Sequence, residues 1–175
     1  MVQSANNLVL IGFMGVGKGQ LARELVRQRP DLYALDTDDL IESFTNTKIK
    51  KIFENAGEKA FRALEQKTAD WLAQNVQHAV ISTGGGFYAV NNLRQIGTVI
   101  YLKADFEWIY RRITTAHNAK KKLKKRPLFQ EYEKAKALYL SRQEGYEKSA
   151  DIVIDMQNAP VEETARKLLQ SVTLF

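Results

Sequence analysis

The sequence predicts an α/β fold, a parallel sheet covered by helices on both faces. Three observations carry this. Five short apolar runs recur along the 175 residues, each parted from the next by a stretch of helical period. The first run passes through a glycine-rich turn directly into a helical pattern, as a strand followed by a crossover helix would. No Pro- or Gly-rich linker and no internal repeat interrupts the chain, so residues 1–175 are expected to form one domain.

The elements follow in order. Leu8–Ile11 is an apolar strand, and Lys18–Gln28 is a helix with Leu21, Leu25 and Val26 on its inner side. Tyr33-Ala34-Leu35 leads into Asp36 as a short buried strand. Asp38–Phe44 and Ile49–Ala56 read as helices, and Asp38 or Asp39 could serve as an N-cap. Glu58–Asn75 is a longer helix, with Phe61, Leu64, Trp71 and Leu72 on or near one face. Ala79–Ser82 is a strand running into Gly84-Gly85-Gly86, and Thr98–Leu102 is the next strand. Asp105 is a candidate N-cap for a helix to Ala116. Glu131–Lys148 is helical, Ile152-Val153-Ile154 is the last strand, and Val161–Val172 is a helix entered through Pro160.

The chain is 45% hydrophobic and 26% charged, ordinary for a globular protein. It has no cysteine, which excludes disulfides, zinc thiolates and thiol catalysis. No leader or membrane span is read before Gly12. A cytoplasmic monomer is expected, without membrane or nucleic-acid partners. The net charge of +6 is local: Lys120, Lys121, Lys122, Lys124, Lys125 and Arg126 fall within seven positions. Taking these six from the 26 basic residues leaves 20, equal to the 20 acidic ones. Such a run is a solvated loop, a lid carrying cations to phosphates, or a nucleic-acid patch.

Gly12 to Gly19 reads G-F-M-G-V-G-K-G. Glycines let backbone N–H groups wrap an anion, the helix N-terminus adds partial positive charge, and Lys18 adds a full one. Gly12, Gly17 and Lys18 fit the pattern GxxxxGK[ST]; position 19 is Gly where a metal-ligating hydroxyl is usual. A dinucleotide-type turn fits less well, because Met14 stands where its second glycine belongs. In open α/β sheets, ligands lie beyond the carboxyl ends of the strands. Three such ends carry chemistry: the phosphate loop, Asp36-Thr37-Asp38-Asp39, and Gly84–Gly86. Paired aspartates can hold a metal and accept a hydroxyl proton. Three glycines fit a close approach to the backbone or a tight turn. Arg62 and Arg142 are surface residues or a grip for a carboxylate.

The chain resembles the shikimate kinases from end to end. The matching pieces are I-G-F-M-G-V-G-K at 11–18, L-D-T-D at 35–38, I-F-E at 52–54, F-R at 61–62, S-T-G-G-G at 82–86, Y-L-K at 101–103 and K-R-P-L at 125–128, followed by Arg142 and Tyr146. The resemblance implies a P-loop kinase fold, with five parallel strands in the order 2-3-1-4-5 and a mobile lid, here about residues 114–126. It implies transfer of phosphate from ATP to the 3-hydroxyl of shikimate, with Mg²⁺. By position, Gly12, Gly15, Val16, Gly17, Lys18, Gly19 and Gln20 would wrap the nucleotide phosphates. Asp36 would hold Mg²⁺ through water. Asp38 would bind the reacting hydroxyl and act as base. Arg62 and Arg142 would clamp the shikimate carboxylate, and Gly84, Gly85 and Gly86 would line its pocket. Arg126 would reach the transferring phosphoryl group, and Arg112 and Pro160 would flank adenine.

Gly19 and Gln20 depart from the family pattern, which has Ser or Thr first and commonly a hydroxyl second. A working enzyme with a higher Mg²⁺ requirement is expected. The alternatives are a gluconate-type sugar-acid kinase and a nucleotide-binding protein whose turnover Gly19 has impaired.

Overall fold

A computed structural model describes residues 6–125 and 127–172. Its centre is one five-stranded parallel sheet of β1 (Leu8–Ile11), β2 (Tyr33–Asp36), β3 (Ala79–Ser82), β4 (Thr98–Lys103) and β5 (Ile152–Asp155). Their order across the sheet is β2-β3-β1-β4-β5. Val9 pairs with Ile81 on one side and Val99 on the other. β1 and β3 are buried at every residue, which is why they read as unbroken apolar runs.

The helices are α1 (Lys18–Gln28), α2 (Thr37–Thr45), α3 (Ile49–Asn75), α4 (Leu93–Ile96), α5 (Phe106–Thr114), α6 (Ala119–Lys125), α7 (Tyr132–Ser149) and α8 (Val161–Ser171). Among the described residues two 3₁₀ turns, Phe87–Ala89 and Pro127–Gln130, lie between them. Gly57, at φ 78° and ψ 179°, breaks α3 where the sequence separates two helices. Among the described residues no helix is long and apolar enough to cross a membrane.

Asn7 staples the N-terminal side of the sheet. It is buried, its amide donates to the carbonyls of Val76 and Ile96 at 2.8 Å each, and its Oδ1 accepts from the Ala79 N–H at 3.0 Å. A second staple is aromatic: Phe13 meets Phe129 at 6.0 Å and Tyr139 at 5.4 Å, edge to face.

Three local expectations need correction, and a fourth holds in position only. β2 is not a buried strand; it is the sheet's edge, paired among the described residues with β3 alone, and Tyr33 is 73% exposed. Trp71 lies on the outer side of α3 and is 48% exposed, while Phe61 and Leu72 face inward. The cap of α2 is Asp36, whose Oδ1 accepts from the N–H groups of Asp38 at 2.9 Å and Asp39 at 3.3 Å. Asp105 holds the N-cap position of α5 without a side-chain bond to the helix; its carboxylate accepts from the Gln157 amide instead.

Candidate active site

β1 delivers the chain into the phosphate loop at its carboxyl end. Gly12 and Gly17 take φ of 141° and 116°, backbone that L side chains rarely adopt. At Gly12 a Cβ would also stand 2.7 Å from the Leu102 carbonyl oxygen. The loop therefore turns tightly against β4 and ends in α1. Lys18 is buried, and its ammonium donates to the carbonyls of Gly12 at 2.6 Å and Phe13 at 3.1 Å. These bonds fasten the cation under the loop that its own helix opens. Val16 is buried beneath the same turn. Gly19 lies in the first turn of α1, where a Cβ would meet Arg23 Nη1 at 3.5 Å and Ser82 Oγ at 4.0 Å, both ordinary contacts.

The glycines at 84–86 have a different purpose from a bare turn. Each makes room for a charged side chain. A Cβ on Gly84 would stand 2.8 Å from Asp38 Oδ1 and 3.3 Å from Glu65 Oε1. On Gly85 it would stand 2.9 Å from Arg142 Nη1 and 3.8 Å from the backbone nitrogen of Met14 in the phosphate loop. On Gly86 it would collide with the Arg62 guanidinium. The segment is fixed from both sides: the Gly84 N–H donates to Thr37 Oγ1 at 3.0 Å, and the Tyr146 hydroxyl donates to the Gly85 carbonyl at 2.6 Å. Asp38, Arg62, Arg142 and the phosphate loop are thus gathered around three consecutive residues.

Glu65 completes the group and was missed by sequence reasoning. It lies three residues after Arg62 on α3, and its Oε2 accepts from Arg62 Nη1 at 2.5 Å. Arg62 Nη2 also donates to Glu58 at 2.8 Å. Burial disfavours the Arg62 charge, but these two glutamates more than restore it. The available signal was the helical spacing Glu58, Arg62, Glu65, which sets two carboxylates within reach of one guanidinium.

The carboxylates are strained electrostatically. Asp38 Oδ1 and Glu65 Oε1 are buried without a hydrogen-bond partner among the described residues. Burial pushes the Asp38 carboxyl up to about 6, with Asp36 and Glu65 adding to the rise and Lys18 opposing it. Burial likewise raises Glu65, while Arg62 and Arg142 hold it back. Orphaned buried acceptors of this kind are costly unless something donates to them.

Arg112, from α5, lies over the other side of the phosphate loop. Its Nη1 donates to the carbonyls of Val16 at 2.8 Å and Gly15 at 3.2 Å, and its Nη2 donates to Gln20 Oε1. Pro160 caps α8 and borders a surface hollow with Gln28, Glu162, Glu163 and Arg166. Arg112 and Pro160 therefore approach α1 at its first and last turns respectively. α6 carries the lysine run as far as Lys125, and Arg126 lies outside the described residues.

Comparison with known proteins bears directly on this arrangement. The family model "Shikimate kinase" matches residues 14–173. The chain belongs to the shikimate kinase family. It is 40% identical to the shikimate kinase of Helicobacter hepaticus over 164 residues, 94% of each chain. It is 35% identical to that of Caldanaerobacter subterraneus, covering 94% of this chain and 95% of the other. Among solved structures, the shikimate kinase of Acinetobacter baumannii in complex with shikimate is similar at a TM-score of 0.80 and 30% identity, with 95% and 92% of the two chains covered. The shikimate kinase of Aquifex aeolicus gives 0.74 and 32%, covering 94% and 95%. The strand order 2-3-1-4-5 is the one that resemblance to the shikimate kinases implies.

Proposed function

We propose that this chain transfers the γ-phosphoryl group of ATP to the 3-hydroxyl of shikimate. The observation that carries the proposal is the pair of partnerless buried oxygens, Asp38 Oδ1 and Glu65 Oε1, aimed at one point beside Gly84 with two arginines and the phosphate loop around it. Acceptors without donors suit a polyhydroxylated substrate, and flanking guanidinium groups suit its carboxylate. Membership of the family supports the same reading.

Asp38 then has two tasks. Its carboxylate orients the 3-hydroxyl, and it takes the hydroxyl proton as the oxygen bonds to phosphorus and the bond to the ADP leaving oxygen breaks. A carboxyl at about 6 is a stronger base than an ordinary aspartate yet still mostly ionised at pH 7. Lys18 sits beneath the loop, ready to meet the nucleotide phosphates. Arg62, braced by Glu58 and Glu65, and Arg142, beside Tyr146, hold the carboxylate end. A lid of residues 114–126, which includes α6, would close over the phosphates, with Arg126 assigned to the transferring phosphoryl group.

The donor set fits Mg²⁺ in part. Asp36 is a hard oxygen donor at the carboxyl end of β2, though its Oδ1 already caps α2, and Gly19 supplies no side-chain oxygen. When bound, the ion would neutralise phosphate charge, held by Asp36 through water. The test is an ADP-release assay run in parallel with shikimate and gluconate across a Mg²⁺ titration. Shikimate-dependent release with a raised Mg²⁺ requirement supports the reading. Release with gluconate, or nucleotide binding without release, overturns it.

A further inference from the structure

We infer that Gln20 is a positioning residue for the base side of the nucleotide, acting through Arg112. This rests on reading Arg112 as an adenine flank. The Arg112 guanidinium reaches from α5 onto three acceptors, the carbonyls of Gly15 and Val16 and the side-chain oxygen of Gln20. The Trp108 ring backs it, with the guanidinium carbon 5.2 Å from the ring centroid. A planar cation held in its own plane and backed by an indole is a pre-organised platform for an aromatic base. Gly17 permits the close approach, since a Cβ there would stand 2.8 Å from Arg112 Nη1.

Gln20 is the part of this device that the backbone does not supply. The two loop carbonyls engage Nη1. The Gln20 oxygen engages Nη2 and fixes the plane. A Ser or Thr at this position carries its oxygen too near its own backbone to span the same gap. With Gln20, one exposed side chain in the first turn of α1 sets the pose of a cation on α5.

The experiment compares the full-length wild type with Gln20→Ala, Gln20→Glu and Arg112→Lys. Calorimetry measures the affinity of each for Mg·ADP and for Mg·pyrophosphate, with steady-state kinetics alongside. Losing one hydrogen bond to a charged group should weaken ADP about three- to tenfold in Gln20→Ala. The KM for ATP should rise in parallel, with kcat less affected. Gln20→Glu keeps the acceptor but adds a negative charge near the phosphate loop, so any loss it shows should be shared by ADP and pyrophosphate, whereas Gln20→Ala retains the backbone N–H at position 20 and its pyrophosphate affinity should hardly move. Two results overturn the inference: unchanged ADP affinity in Gln20→Ala while Arg112→Lys weakens it, or equal loss of ADP and pyrophosphate in Gln20→Ala, which would make Gln20 a mere support of the phosphate loop. Unchanged ADP affinity in Arg112→Lys would instead sink the reading of Arg112 on which the inference rests.

Discussion

Asp38 and Glu65, 27 positions apart on α2 and α3, turn their partnerless oxygens to the same spot, the place a side chain on Gly84 would occupy. The folded chain holds two carboxylates together there and leaves both short of donors. That is unfavourable for the protein alone and useful for gripping hydroxyls.

Gly84→Ala tests this spot directly. Its Cβ would press on Asp38 Oδ1 at 2.8 Å and Glu65 Oε1 at 3.3 Å. Displacing the base by even a fraction of an ångström should lower kcat/KM for shikimate about 100-fold, given how steeply catalysis depends on position. ADP affinity should hold within about twofold, since the phosphate loop is untouched. Equal losses in both would point to general misfolding of the rim.

Asp38→Asn should stabilise the protein while abolishing turnover. The folded-state carboxyl sits at about 6 against an ordinary 3.8, so the folded chain holds the proton more tightly than the unfolded one. The contribution of this carboxyl to stability is therefore most favourable below pH 4, is lost as pH rises through 6, and becomes the full penalty above that. The shift corresponds to roughly 2–3 kcal/mol at pH 8. Thermal melts should show the variant more stable than wild type at pH 8, with the gap closing near pH 4. A gap of the same size at both pH values would argue against this titration.

Gly19→Ser should lower the Mg²⁺ concentration for half-maximal rate. The site accepts a Cβ at ordinary contact distances, 3.5 Å from Arg23 and 4.0 Å from Ser82. Replacing glycine inside α1 should also add about 0.5 kcal/mol of stability. An unchanged Mg²⁺ curve would remove position 19 from the account of the metal.

Asn7→Ala should cost about 2–4 kcal/mol, since it strips partners from two carbonyls and one N–H at the buried base of the sheet. Chemical denaturation measures it. A loss under about 1 kcal/mol would mean that those groups find other partners.

Much of this was legible in the chain. Apolar runs bounded by glycine gave β1 and β3 because a parallel sheet buries both faces of its central strands. The bounds of α1 match because Lys18 opens it and its inner face repeats at Leu21 and Leu25. Edge and centre strands were harder to tell apart, and β2 was read as buried because exposure depends on the order across the sheet. Asp36 was read for chemistry and proved also to be the cap of α2. Glu65 was passed over because a glutamate in a helix usually faces water; only the folded arrangement of α3 against Gly84 buries it. Three consecutive glycines advertised a close approach, but not that each would face a different charged group.

The most direct test of the central claim is ³¹P NMR of the product formed from ATP and shikimate by the wild-type protein. The account predicts a single new phosphate monoester on the 3-hydroxyl, formed in step with ADP and lost in Asp38→Asn. Absence of that ester, or its appearance on another hydroxyl, would contradict it.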